Sequence, residues 1–142
     1  MGDSSTQGKF AESCSLTARI YHAHAKCTYG TPTEEREQAI IRKTFPQHEI
    51  VDPGLEEDNE EKLFGGMDYC LKLVKSCDAL AFSRINGEVT SGVGKEVEYA
   101  LSLGTPVYEL AGDSMSQVLA PPKYLSIEET VTLYDEWENE NL

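Results

Sequence analysis

The apolar positions of the chain form short runs separated by stretches of helical periodicity. Runs of β-like pattern cover residues 16–25, the segment HEIVDP and the segment DALAFS at 78–83. DALAFS is nearly uninterrupted, which is typical of a strand buried on both faces of a sheet. The segment TPVYEL at 105–110 predicts a fourth strand, and KYLSI at 123–127 predicts a fifth.

Helical patterns lie between these strands. In TPTEEREQAIIRKTF, Thr31 is a candidate N-cap and Pro32 occupies the first helical position, so a helix is expected to begin there and to end before Pro46. Further helices are predicted over about 64–75, 93–103 and 128–142, and the helix over 93–103 is expected to end at Gly104. Alternating strands and helices predict an α/β fold with a parallel five-stranded sheet.

Composition limits the classes of partner. The 142 residues fit one domain over 16–142, preceded by a disordered N-terminal arm at 1–15 that lacks apolar periodicity. Acidic residues number 25 against 12 Lys and Arg, a net charge of −13, which argues against binding a nucleic acid polymer or an anionic membrane. Without an apolar run of ~20 residues or a signal peptide pattern, a cytoplasmic location is expected. The four cysteines, with no CxxC pair, are expected to be reduced.

The segment SGVG at 91–94 is a candidate anion site. It enters a helix directly, so unpaired backbone N–H groups and the positive end of the helix dipole would face a ligand at the carboxyl ends of the strands. The spacing is not that of a P-loop. A tight strand-to-helix turn with no ligand is the alternative.

Carboxylates and histidines supply further candidates. Glu96 lies in the first turn of that helix and could be a nucleophile or base, or could only favour the helix dipole, and Glu98 points elsewhere. His22 and His24 alternate on one strand face, but only His48 remains as a third histidine, so we expect no metal. His24 is expected to line the mouth of the site or to be a buried, hydrogen-bonded histidine.

Two segments carry a resemblance to a known family. The stretch CDALAFSRINGEVTSGVGKEVEYALSLGTPV and the start IYHAHA resemble the nucleoside 2-deoxyribosyltransferase superfamily, and SGVGKE is most similar to its 2′-deoxynucleoside 5′-phosphate N-hydrolase branch. The likeness covers about 20–25 and 68–107, roughly a third of the chain. It implies a flavodoxin-like, Rossmann-like three-layer sandwich, assembled as a homodimer or higher homo-oligomer, and cleavage of the C–N bond between a base and a (deoxy)ribose.

The resemblance also implies roles for particular residues. Glu96 matches the family nucleophile and Tyr21 the tyrosine that orients it. Residues that match contacts to the sugar or its 5′-phosphate are Ser91, Gly92 and Gly94. No cofactor or metal is required, and the partner is a small nucleoside or nucleotide.

The chain departs from the family pattern in three places. Cys70 stands where the family has an aspartate, with Asp68 two residues earlier as its candidate replacement. His24 and Lys26 follow the first strand in place of small residues. Lys95 replaces an aromatic, and it supplies either a phosphate-binding charge or only a surface charge. The alternatives to glycosidic cleavage are a non-catalytic domain that binds a nucleotide or an ADP-ribose-like ligand, and an NAD glycohydrolase.

Overall fold

The structure is a computed structural model that describes residues 17–56 and 65–141. The predicted arm at 1–15 and most of the acidic loop after the second strand lie outside the described residues. Nine strands and α-helices are described: β1 (Ala18–Ala23), α1 (Pro32–Thr44), β2 (His48–Val51), α2 (Met67–Lys75), β3 (Ala79–Phe82), α3 (Ser91–Ser102), β4 (Val107–Ala111), β5 (Ser114–Val118) and α4 (Ile127–Glu140).

The strands form one five-stranded sheet in the order β2-β1-β3-β4-β5. The pairs β1/β2, β1/β3 and β3/β4 are parallel, so the predicted α/β class with a mostly parallel sheet is confirmed. The order reverses beside β1, because β2 lies on one side of it and β3 on the other. In open sheets of this kind, ligands bind at such a reversal, beyond the carboxyl ends of the strands.

The fifth strand differs from the prediction in place and direction. It is Ser114–Val118, antiparallel to β4, so a wholly parallel sheet was wrong. Gly112, with φ of 64°, permits the tight two-residue turn that folds β5 directly back onto β4. The predicted strand at 123–127 is irregular up to the start of α4, and its Leu125 N–H donates to the carbonyl of Val89 at 2.9 Å.

Helices cover both faces of the sheet. In β3, Leu80 and Phe82 point to one face, where they pack in a core with residues of α2 and α3. Ala79 and Ala81 point to the opposite face, where they pack with Ile41 of α1. All four β3 residues are buried, as the uninterrupted apolar run predicts, and each fully buried large side chain contributes roughly 1.5–3 kcal/mol.

The helix ends follow local signals. Thr31 caps α1 by accepting from the Glu34 N–H, Pro32 is its first residue, and α1 ends before Pro46, all as predicted. Gly104, with φ of 76°, follows α3, which confirms its predicted end. No helix in the described ranges is long and apolar enough to cross a membrane.

Candidate functional site

A cavity of about 220 Å³ lies at the reversal of strand order. Its walls come from the loop after β1, the start of α2, the start of α3 and one residue of α4. The lining residues are His24, Lys26, Tyr29, Gly66, Met67, Cys70, Thr90, Gly92, Val93, Glu96 and Tyr134. The cavity therefore occupies the place where a doubly wound sheet binds its ligand.

A buried tyrosine and a buried glutamate meet in this cavity. Tyr21 of β1 is fully buried and donates its hydroxyl to Oε2 of Glu96 at 2.5 Å. Glu96 is 5% exposed and lines the cavity. Burial, and then the negative charge of Glu96, raise the pKa of Tyr21 above its ordinary value. The tyrosine therefore keeps its proton and donates a hydrogen bond to the Glu96 carboxylate, which fixes the position of that carboxylate.

Most backbone N–H groups at the N-terminus of α3 have hydrogen-bond partners within the chain. Thr90 is the N-cap and accepts from the Val93 N–H through its side chain, while the Ser91 N–H donates to Thr130 Oγ1 at 2.9 Å. The prediction that these groups are unpaired was wrong, because it placed the helix start at Val93 and missed Thr90 as the cap. Ser91, Gly92 and Gly94 were predicted to contact the sugar or its phosphate, and of these three Gly92 lines the cavity.

Gly94 serves packing. A Cβ at this position would lie 2.1 Å from Cγ of Tyr124, closer than any side chain tolerates. Gly94 and Ser91 are buried but do not line the cavity. The second glycine of SGVG is thus required by the ring packed on α3.

Two predicted charged residues lie outside the cavity. Asp68 and Lys95 are exposed, and Cys70, one turn along α2 from Met67, lines the cavity instead. Glu98 is also exposed and accepts from the Tyr124 hydroxyl at 3.2 Å, so only Glu96 of the two α3 glutamates faces the cavity, as predicted.

Sequence reasoning missed Tyr134. Its hydroxyl accepts the Lys26 N–H at 3.1 Å and lines the cavity, and burial raises its pKa. This residue lies in α4, whose acidic end resembles a solvated surface helix. No local pattern indicates that α4 reaches back to the loop after β1.

His24 lines the cavity and is buried, and it also belongs to a polar cluster on the α1 side of the sheet. Its ring stacks on that of His22 with centroids 3.7 Å apart. Ligand atoms of His24, Glu34 and Asp52 all lie within 4.8 Å of one another, so these three residues could hold a metal. His48 starts β2 and is not among these three residues.

No family model matches the chain, and no curated protein or solved structure matches it either. The geometry of the cavity and the motifs in the sequence are therefore the guides to function.

Proposed function

We propose that this protein cleaves the N-glycosidic bond of a (deoxy)nucleoside or its 5′-monophosphate, with Glu96 as the nucleophile. One observation carries the proposal. Glu96 lies at the reversal of strand order and accepts a hydrogen bond from the buried Tyr21, which are the two residues that the resemblance pairs. A carboxylate held in this way is ready to attack a sugar carbon from a water-poor site.

The proposed reaction has two steps. The Glu96 carboxylate attacks the anomeric carbon as the C–N bond breaks, and the base leaves with the bonding electron pair and takes up a proton from solvent. Water then attacks the same carbon, loses a proton to solvent and releases the carboxylate, or a second base does so and gives transfer. The negative charge of Glu96 also stabilises the oxocarbenium-like transition state, as in retaining glycosidases.

Cavity size and charge narrow the substrate. At about 220 Å³, the cavity is smaller than the roughly 300–1,000 Å³ typical of pockets for drug-sized ligands, so we propose that it holds the sugar while the base extends outward. Lys26 is among its lining residues. A 5′-phosphate would therefore pair with Lys26 and the Gly92 backbone, with Lys95 too far out to take part.

A non-catalytic binding domain is the second candidate. It is favoured by Cys70, which occupies the cavity wall where the family has an aspartate, so Glu96 is the sole carboxylate among the lining residues within 17–56 and 65–141, the part of the chain that the structure describes. A second carboxyl group would be the ordinary source of the leaving-group proton. Such a domain would bind nucleotides without releasing the base.

A product screen tests the proposal. Purified protein is incubated with nucleosides, their 5′-monophosphates and NAD, with and without a free acceptor base, and released base is measured by chromatography. We expect base release that Glu96→Ala abolishes and that the matched control Glu98→Ala retains. Binding without base release would favour the second candidate, nicotinamide release from NAD would identify a glycohydrolase, and unchanged activity of Glu96→Ala would overturn the assignment.

We also propose the finer architecture that the resemblance implies. The strand order 2-1-3-4-5, with helices on both faces, supports a flavodoxin-like three-layer sandwich. A homodimer that completes each site is the proposed assembly, which light scattering on the purified chain would test.

A further inference from the structure

A second polar site lies beside the cavity, on the α1 side of the sheet. It is formed where the loop after β1, the first turn of α1 and the residue after β2 meet. His24 Nε2 is 2.6 Å from Glu34 Oε2 and 3.8 Å from Asp52 Oδ1. The three side chains are 0%, 14% and 8% exposed, respectively. Two carboxylates and an imidazole therefore converge in a space largely closed to solvent.

The proton on His24 is placed by its other ring nitrogen. Nδ1 lies 2.8 Å from the backbone carbonyl oxygen of His22, which can only accept, so Nδ1 carries a hydrogen. In the neutral ring, Nε2 then has a bare lone pair that faces the oxygen of Glu34. Two acceptors at 2.6 Å repel each other unless a proton or a metal cation lies between them.

His22 shows the opposite arrangement. Its Nδ1 accepts from the Gln38 amide at 3.2 Å, which leaves Nε2 to donate to Glu37 Oε1 at 2.9 Å. The same Gln38 amide donates its second hydrogen to Asp52 Oδ2 at 2.9 Å, which fixes its orientation. Both nitrogens of the His22 ring thus pair a donor with an acceptor. In this pair of histidines, only His24 has an acceptor nitrogen that faces another acceptor.

Both carboxylates are oriented by backbone donors. Glu34 Oε1 accepts from the Gly30 N–H at 3.0 Å, and Asp52 Oδ1 accepts from the Gly54 N–H at 2.8 Å. Partners of this kind, together with the carbonyl behind His24 Nδ1, are the outer contacts that orient metal ligands in proteins. A single proton on His24 would balance one carboxylate, whereas a divalent cation balances both.

We propose that His24, Glu34 and Asp52 bind a divalent transition-metal cation of the Zn²⁺ class. A mixed set of imidazole nitrogen and carboxylate oxygen suits such ions, with bonds of about 2.0–2.2 Å. Binding requires Nε2 and Oε2 to separate to about 3.3 Å, the spacing of two ligands in a tetrahedral shell of that radius. The three protein ligands leave one position for water, and the ion ties the cavity wall at His24 to α1 and to the end of β2.

Metal binding to the purified full chain tests this proposal. After chelator treatment and dialysis, Zn²⁺ or Mn²⁺ is titrated in, and bound metal is measured by equilibrium dialysis and mass spectrometry of the elements. We expect one equivalent bound, an increase in melting temperature, and at least tenfold weaker binding by Glu34→Gln and Asp52→Asn. The matched control is Glu35→Gln, which removes an exposed carboxylate next to Glu34.

A measurement on the unmutated protein covers the case in which those variants fail to fold. In ¹⁵N NMR of the histidine rings, we expect saturating Zn²⁺ to move the Nε2 resonance of His24 to a metal-bound value while Nδ1 keeps its proton. A His24 ring that stays doubly protonated under these conditions would overturn the proposal and show an ion pair with Glu34. Metal retained equally by all variants would also overturn it. Neither readout depends on glycosidic activity.

Discussion

Two polar regions of the molecule are separated by the alternation of side chains along β1. Tyr21 points to the α2 and α3 face and donates to Glu96, so a donor meets an acceptor. His22 points to the α1 face, near His24. In the neutral His24 ring, Nε2 is a hydrogen-bond acceptor, and it faces carboxylate oxygens, which are acceptors too. The first region is complete without an added charge and is suited to position a nucleophile. The second requires a proton or a cation between these atoms, which makes it a candidate for holding a metal ion.

The largest expected effect comes from removing the donor of the first region. Tyr21→Phe leaves the buried Glu96 without its hydroxyl partner while the ring still packs. We expect base release to fall about 100-fold, mostly in kcat, which corresponds to about 2.7 kcal/mol. Steady-state kinetics with the best substrate of the screen measures this loss. Activity equal to that of the unmutated protein would show that Tyr21 does not position Glu96 for the reaction.

The next effect concerns the helix that carries Glu96. Gly94→Ala places a methyl group against the Tyr124 ring, so we expect the free energy of unfolding to fall by about 2 kcal/mol. Urea unfolding measures the change. In Gly94→Ala combined with Tyr124→Gly, which also removes the Tyr124 Cβ that would lie 2.5 Å away, the clash is absent, and the two single effects should not add. Additive losses would mean that Gly94 is required for another reason.

The buried Tyr21 hydroxyl should also change how the free energy of unfolding depends on pH in the alkaline range. Its pKa is raised above the ordinary value of 10.0, so its stabilising contribution is complete below pH 10 and is lost as the pH rises above it. Between pH 10 and 11, the unfolding free energy of the unmutated protein should fall more than that of Tyr21→Phe, by about 1 kcal/mol over that pH unit. Parallel curves in urea titrations would contradict this.

The smallest expected effect is a difference between substitutions of the two lysines near the cavity. Lys26 lines it, and Lys95 is exposed outside it. Because exposed charge pairs contribute little, Lys26→Met should raise the KM for a 5′-monophosphate roughly fivefold and leave the KM for the nucleoside unchanged. Lys95→Met serves as the matched control and should change neither value. If both variants raise the KM for the 5′-monophosphate equally, the phosphate contact would have to be reassigned from Lys26 to the start of α3.

Local signals in the sequence predict much of the fold. Thr31 and Pro32 mark the start of α1, and the apolar run at 79–82 is the buried strand β3. The edge strand β5 was missed because SMSQV is largely polar and pairs on one side only, with β4. An edge strand needs little apolar pattern, since its place is set by the turn at Gly112.

The candidate site is less predictable. Glu96 and Tyr21 are 75 residues apart, and their pairing was expected only because both match a family motif. The contribution of Thr90 could be found from its capping position, but the contact of Tyr124 with Gly94 depends on tertiary packing. Glu34 and Asp52 resemble ordinary residues of a helix start and a strand end, so only the fold shows that they meet at His24.

The central claim is that Glu96 forms a covalent bond to the sugar. The direct measurement is rapid quenching of the reaction with a cleavable nucleoside, followed by mass spectrometry of the intact protein and of its peptides. We predict a pentosyl adduct on the peptide that contains Glu96, formed as the base is released and absent in Glu96→Ala. Base release with no adduct, or an adduct on another residue, would contradict the account.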